Sequence, residues 1–155
     1  MQSEKTVAVG GTFDNFHLGH VQLLLKCFEI NKAVLIGVTS DILAKSKNHF
    51  IESCNRRKKN LLSFLFFHKL YDYTKIIILD DPYGPTIFDE DIFAIVVSEE
   101  TFIRALEINN IRSGKHLSPL QIFVIPLIKD VDLRPISSTK IRRDEKFCEK
   151  FFINV

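Results

Sequence analysis

The chain has 155 residues, 46% of them hydrophobic, 26% charged and 11% aromatic; this suffices for one sizeable core and is too little for two full domains, so residues 1–155 are expected to fold as a single domain. Its 21 Lys and Arg against 19 Asp and Glu leave a net charge of +2, which excludes a strongly basic nucleic-acid coat and an acidic disordered tail. No apolar run approaches the roughly 18 residues of a membrane helix, and the Met1-Gln2-Ser3-Glu4-Lys5 start lacks the apolar stretch of a signal peptide, so neither a nucleic acid nor a membrane is expected as partner.

In chain order, residues 6–9 (Thr-Val-Ala-Val) form a short β-branched run ending at Gly10-Gly11. Residues 21–30 carry Leu23, Leu24, Leu25, Cys27 and Phe28 at broad helical spacing. Residues 33–38 are apolar again and stop at Thr39-Ser40-Asp41, and residues 57–70 read as a second helix with Leu61, Leu62, Phe64, Leu65 and Phe66 on a wide apolar face. Three more apolar runs follow, over residues 75–79, 93–97 and 121–125. Continuous apolar runs without alternation are what strands buried on both faces look like, and the intervals suit helical crossovers. The rhythm predicts an α/β, Rossmann-like domain: a mostly parallel sheet of five strands with helices on both faces. Cys27, Cys54 and Cys148 are scattered with no C-x-x-C pair, which fits a reducing compartment and predicts a cytoplasmic location. The fourteen phenylalanines are expected in the core.

Ligands of open parallel sheets bind beyond the carboxyl ends of the strands. The segments to watch are therefore the loops that follow the apolar runs: residues 10–14, 39–41, 80–85 and 98–101. The first continues as Gly10-Gly11-Thr12-Phe13-Asp14-Asn15-Phe16-His17-Leu18-Gly19-His20. The glycine pair permits a sharp turn and close backbone approach to a ligand. His17 and His20 are three apart where a helix should begin, so their rings share a face beside N–H groups that favour anions, an arrangement suited to a polyphosphate. The same pair also suits ordinary surface or helix-cap positions. As a metal pair it lacks a cysteine to complete a tetrahedral set, so no metal site is assigned. Near the other end, Ser137, Ser138 and Thr139 follow Pro135 and are N-cap residue types able to grip phosphate oxygens, with Arg142 one turn on.

Thr12-Phe13-Asp14-x-x-His17-x-Gly19-His20 after a first strand resembles the signature of the HxGH nucleotidyltransferases, and Ile136-Ser137-Ser138-Thr139-Lys140-Ile141-Arg142 resembles their second signature. Three further blocks narrow the likeness: Asp80-Asp81-Pro82-Tyr83-Gly84-Pro85, Val97-Ser98-Glu99-Glu100-Thr101, and Glu107-Ile108-Asn109-Asn110-Ile111-Arg112 with Leu117-Ser118-Pro119-Leu120. These resemble the archaeal and eukaryotic type of phosphopantetheine adenylyltransferase, over residues 7–143. The resemblance implies a Rossmann-like nucleotidyltransferase fold and transfer of AMP from ATP to 4′-phosphopantetheine, with Mg²⁺ arriving on ATP and a monomer favoured.

By that resemblance His17, His20, Lys47 and Arg142 are the catalytic residues. Gly10, Gly11, Thr12, Phe13, His17, His20, Glu100, Ser137, Ser138, Thr139 and Arg142 would hold ATP, and Thr12, Lys45, Lys47, Arg57 and Tyr83 the second substrate. Between Lys45 and Arg57 the chain departs from the family's lysine cluster followed by P-F/Y-E-x-x-R. The choices between Lys47 and Lys45, and between Arg57 and Arg56, therefore stay open. Asp14 is read as a cap of the turn or helix, Tyr83 as lining a substrate pocket or packing in its loop, and Glu100 as orienting ATP or as a first-turn acid. His49, His68 and His116 are read as structural. Two other functions fit the same motifs: a cytidylyltransferase for a phosphoalcohol such as glycerol 3-phosphate, and a non-catalytic nucleotide-binding regulator.

Overall fold

The five aliphatic runs become strands β1 (Thr6–Gly11), β2 (Val34–Thr39), β3 (Thr74–Leu79), β4 (Ile92–Ser98) and β5 (Gln121–Ile125) in a computed structural model that describes residues 3–126. All neighbours are parallel, in the order β3-β2-β1-β4-β5. Because side chains alternate along a strand, each run feeds two cores. Val7, Val9, Val34, Ile36, Val38, Ala94 and Val96 face one side. Ala8, Leu35, Ile95 and Val97 face the other.

Helices α1 (Leu18–Ile30) and α3 (Cys54–Phe67) cover the first face through Leu23, Leu24 and Cys27 and through Leu61, Phe64 and Leu65. A single turn, α2 (Asp41–Ala44), stands at the end of β2. Helix α4 (Phe102–Gly114) covers the second face with Ala105 and Ile108. Each such large apolar side chain, fully buried, contributes about 1.5–3 kcal/mol. Among the described residues no helix is long and apolar enough to cross a membrane.

One connection shapes the site. The chain steps outward from β1 through β2 to β3, then must cross back over the sheet to reach β4. That return holds only one turn of 3-10 helix, Gly84–Ile87, where a full crossover helix is usual. Among the described residues the second face is therefore thinly covered above β1, β2 and β3. The expectation for phenylalanine holds for Phe13, Phe16 and Phe64 but not for Phe50, Phe66, Phe67 and Phe88, which are exposed. Phe66 and Phe67 lie in the last turn of α3, away from its buried face of Arg57, Leu61, Phe64 and Leu65; Phe66 stacks on Tyr71 instead.

Candidate active site

Thin cover leaves a cavity of about 310 Å³ between the second sheet face, the 82–86 turn and α4. Its floor is made of small and aliphatic side chains, among them Ala8, Gly10, Gly37, Leu35 and Ile95. Its rim carries Thr12, Thr39, Ser46, Lys47, Thr101 and Arg104. It opens at the carboxyl ends of β1 and β4, where the order of strands reverses, the usual ligand crevice of such sheets. Gly37 is there for space: a Cβ would stand 2.6 Å from Leu79 Cδ1.

His17 and His20 cap the helix they introduce. His17 is the N-cap of α1, and its Nδ1 accepts from Gly19 N–H at 3.1 Å. His20 Nδ1 accepts from His17 N–H at 3.2 Å, closing a capping box in which histidine stands where glutamate or glutamine is usual. With both Nδ1 atoms accepting, each neutral ring carries its proton on Nε2; neither ring belongs to the cavity lining itself. The rings stack at 3.8 Å between centroids. Burial, partly opposed by Asp14, lowers His17 to a pKa of about 4. Burial first, then His17 and the Lys47 ammonium, hold His20 well below its usual value. Both rings are thus neutral donors at physiological pH. A Cβ on Gly19 would meet His17 Cε1 at 2.9 Å, so the glycine gives the imidazole its place.

Behind the histidines lies a hydrogen-bonded brace. Asp14 is buried, and the N-cap of α1 is His17; Asp14 Oδ1 accepts from Glu52 N–H at 2.9 Å. Glu52 Oε2 accepts in return from Asn15 N–H at 3.1 Å. Phe13 is fully buried in the left-handed region, with φ 52°, and its ring packs 5.3 Å from that of His20. Arg57 corrects the expectation of a substrate contact. Its side chain is 0% exposed, and its guanidinium is engaged by the carbonyls of Thr12, Thr39 and Glu52 and by Asp41. Arg56 points outward beside Glu52. Of the two lysines, Lys47 lines the cavity, whereas Lys45 ends α2 and is exposed.

Tyr83 lines the opposite wall. Asp81 Oδ1 accepts from the N–H groups of Tyr83 and Gly84, both at 2.8 Å, and Gly84 takes φ 52°, so this block is a turn that sets Tyr83 over the cavity. Arg104 lies 5.4 Å from the Tyr83 ring centroid and pairs with Glu107 at 3.1 Å. Glu100 sits exposed in the one-turn helix Glu99–Thr101, outside the cavity lining, while its neighbour Thr101 belongs to that lining. Arg104 belongs to no motif of the sequence, whereas Thr39 and Thr101 fall in the strand-end segments 39–41 and 98–101, and Thr101 also closes the Val97–Thr101 block. Thr39 is the last residue of β2 and Thr101 lies three residues beyond Ser98, the end of β4, which is where a search of strand ends finds them. His49, His68 and His116 are exposed and away from the cavity. Ser137, Ser138, Thr139 and Arg142 lie outside the described residues.

Much of the Glu107–Leu120 likeness is architectural. Asn109 clamps Leu120 by two hydrogen bonds, of 3.0 and 2.8 Å. Buried Arg112 donates to the carbonyls of Ser118, Thr86 and Asp89 at 2.7, 2.6 and 3.0 Å, tying α4 to the segments before β4 and β5.

The model of the cytidylyltransferase-like family matches residues 8–144. The phosphopantetheine adenylyltransferase of Methanothermobacter thermautotrophicus is 50% identical over 139 residues, covering 90% of this chain and 84% of the relative. That of Pyrococcus abyssi is 45% identical over 144 residues, covering 92% and 91%. A crystal structure of a protein of unknown function from Archaeoglobus fulgidus superposes with a TM-score of 0.71 at 30% identity, over 77% of this chain and 88% of that one.

Proposed function

The chain belongs to the cytidylyltransferase-like family and, within it, to the phosphopantetheine adenylyltransferases, and from that premise we propose the following reaction and division of labour. The protein transfers AMP from ATP to 4′-phosphopantetheine, yielding dephospho-coenzyme A and pyrophosphate. A phosphate oxygen of 4′-phosphopantetheine attacks the α-phosphorus while the bond to the bridging oxygen breaks and pyrophosphate leaves. The nucleophile is already an anion, so no base is needed. The obstacle is charge, and positioning with electrostatic stabilisation supplies the rate.

The observation that carries this reading is the histidine capping box. Two neutral rings with Nε2–H donors fixed in place stand at a helix N-terminus beside Lys47. Such donors gain strength as charge builds on the leaving pyrophosphate, without needing to ionise or reorganise. Thr12 and the backbone of Gly11 and Phe13 hold the reacting phosphates, and Lys47 neutralises the incoming one. Ser137, Ser138, Thr139 and Arg142 take the β- and γ-phosphates. Tyr83 and the apolar floor suit the carbon chain of the pantetheine arm, and the cationic rim suits its phosphate. Mg²⁺ enters on ATP as part of the substrate, held by phosphate oxygens and water; the hydroxyl, ammonium and guanidinium groups at the rim fit phosphate oxygens, not a dication. We expect the enzyme to work as a cytoplasmic monomer.

Purified protein given MgATP and 4′-phosphopantetheine should release pyrophosphate and form dephospho-coenzyme A, identified by mass. Use of CTP without ATP, or no pyrophosphate release, would overturn the assignment.

A further inference from the structure

The inner face of α3 consists of Arg57, Leu61, Phe64 and Leu65. A guanidinium wholly enclosed in an apolar stripe is expensive to desolvate and is tolerated only where its donors find partners. What the charge provides is reach. Nη1 donates to Thr12 O at 2.8 Å and Thr39 O at 2.7 Å, Nε to Glu52 O at 2.8 Å, and Nη2 to Asp41 Oδ1 at 3.3 Å. Those acceptors sit where β1 ends, where β2 ends, and at both ends of the 41–53 segment that carries Lys47. One side chain therefore joins the histidine loop to the lysine loop.

Peptide geometry adds a consequence. In a planar trans peptide the C=O and the following N–H point to opposite sides. With Thr12 O drawn toward α3, the Phe13 N–H must face away from α3. Phe13 itself holds φ 52°, a conformation that persists in a bulky residue only when surroundings impose it.

We propose that Arg57 is a positioning residue, which fixes the Thr12–Phe13 peptide and the 41–53 segment so that Phe13 N–H and the Lys47 ammonium meet the same phosphates. The proposal rests on the role given to Lys47 under the function above. It predicts that the two residues act as one unit.

Arg57→Lys keeps the charge and loses the fork. Wild type, Arg57→Lys, Lys47→Ala and the double variant are compared by steady-state turnover and by amide NMR during MgATP titration. In wild type the Phe13 amide should shift on adding MgATP, and in Arg57→Lys that response should vanish. Turnover of Arg57→Lys should fall about 10²-fold, the usual result of misplacing a reacting group by about 1 Å. The double variant should be no more than about threefold slower than Lys47→Ala, because coupled residues do not add. Losses that multiply, an unchanged Phe13 response in Arg57→Lys, a Phe13 amide silent in wild type, or full turnover of Arg57→Lys would each overturn the proposal. Should Lys47→Ala turn over like wild type, it is the lysine's assigned role that fails; the Phe13 amide and Arg57→Lys turnover then decide the proposal alone. If Arg57→Lys does not fold, Asp41→Asn carries both readouts, since it loosens the same guanidinium from a partner that is 55% exposed.

Discussion

Acid should loosen the first turn of α1 through His17. The residue is 9% exposed, and burial, opposed in part by Asp14, lowers its pKa from 6.5 to about 4. Once the chain unfolds, that pKa returns to about 6.5. A base with a depressed folded pKa takes its proton more readily when unfolded, so stability is present above about pH 6.5 and falls as pH drops toward 4. Integrating the two titrations from pH 7 to pH 4.5 gives a loss of about 2 kcal/mol from this one ring. His20 adds to the loss in the same direction. Urea unfolding at a series of pH values measures it, with His17→Asn as the comparison, because asparagine still caps a helix but does not titrate. Across that interval wild type should lose about 2 kcal/mol more than the variant. Parallel pH profiles for the two proteins would refute the reasoning.

His20→Ala should lower kcat by about 10²–10³ while ATP affinity, read by calorimetry, changes far less, since its donor matters most as charge develops. Gly19→Ala places a methyl 2.9 Å from His17 Cε1; turnover should fall at least about tenfold with helical content by circular dichroism unchanged. Gly37→Val drives a side chain into Leu79, and should cost about 1–3 kcal/mol in urea unfolding while raising KM for the second substrate. Arg112→Met leaves the carbonyls of Ser118, Thr86 and Asp89 without their donor. It should cost at least about 1–3 kcal/mol in the same assay, the penalty of a buried acceptor left unpaired, with turnover per folded molecule near wild type.

The strands were legible because each is a nearly unbroken aliphatic run; β1, β2 and β4 are buried on both faces as such runs imply, whereas the edge strands β3 and β5 hold no fully buried residue. Helix α4 was less visible: its inner stripe is Ala105, Ile108 and Arg112, where a small residue and a cation interrupt the apolar pattern. His17 and His20 could be read as a pair sharing one helical face. That they cap the helix themselves depends on ring rotamers and the extended backbone of His17, which spacing does not encode. Arg57 illustrates the opposite problem. Within Arg56-Arg57-Lys58-Lys59 it looks like a surface or substrate-facing cation, because the main-chain carbonyls that receive it are the same in every sequence. The cavity followed from something missing, a crossover too short to hold a full helix between β3 and β4. An interval rich in Asp, Pro and Gly reads as a loop without revealing what it fails to cover.

The capping arrangement at the head of α1 makes reactivity and architecture inseparable at those two positions. The imidazoles that would greet the nucleotide are also the pieces that finish the helix beneath it. A descendant of this chain drifting toward mere nucleotide storage could not simply discard them; it would first have to recruit other acceptors for the amides left bare. Chemistry here is insured by the fold's own need for the same rings.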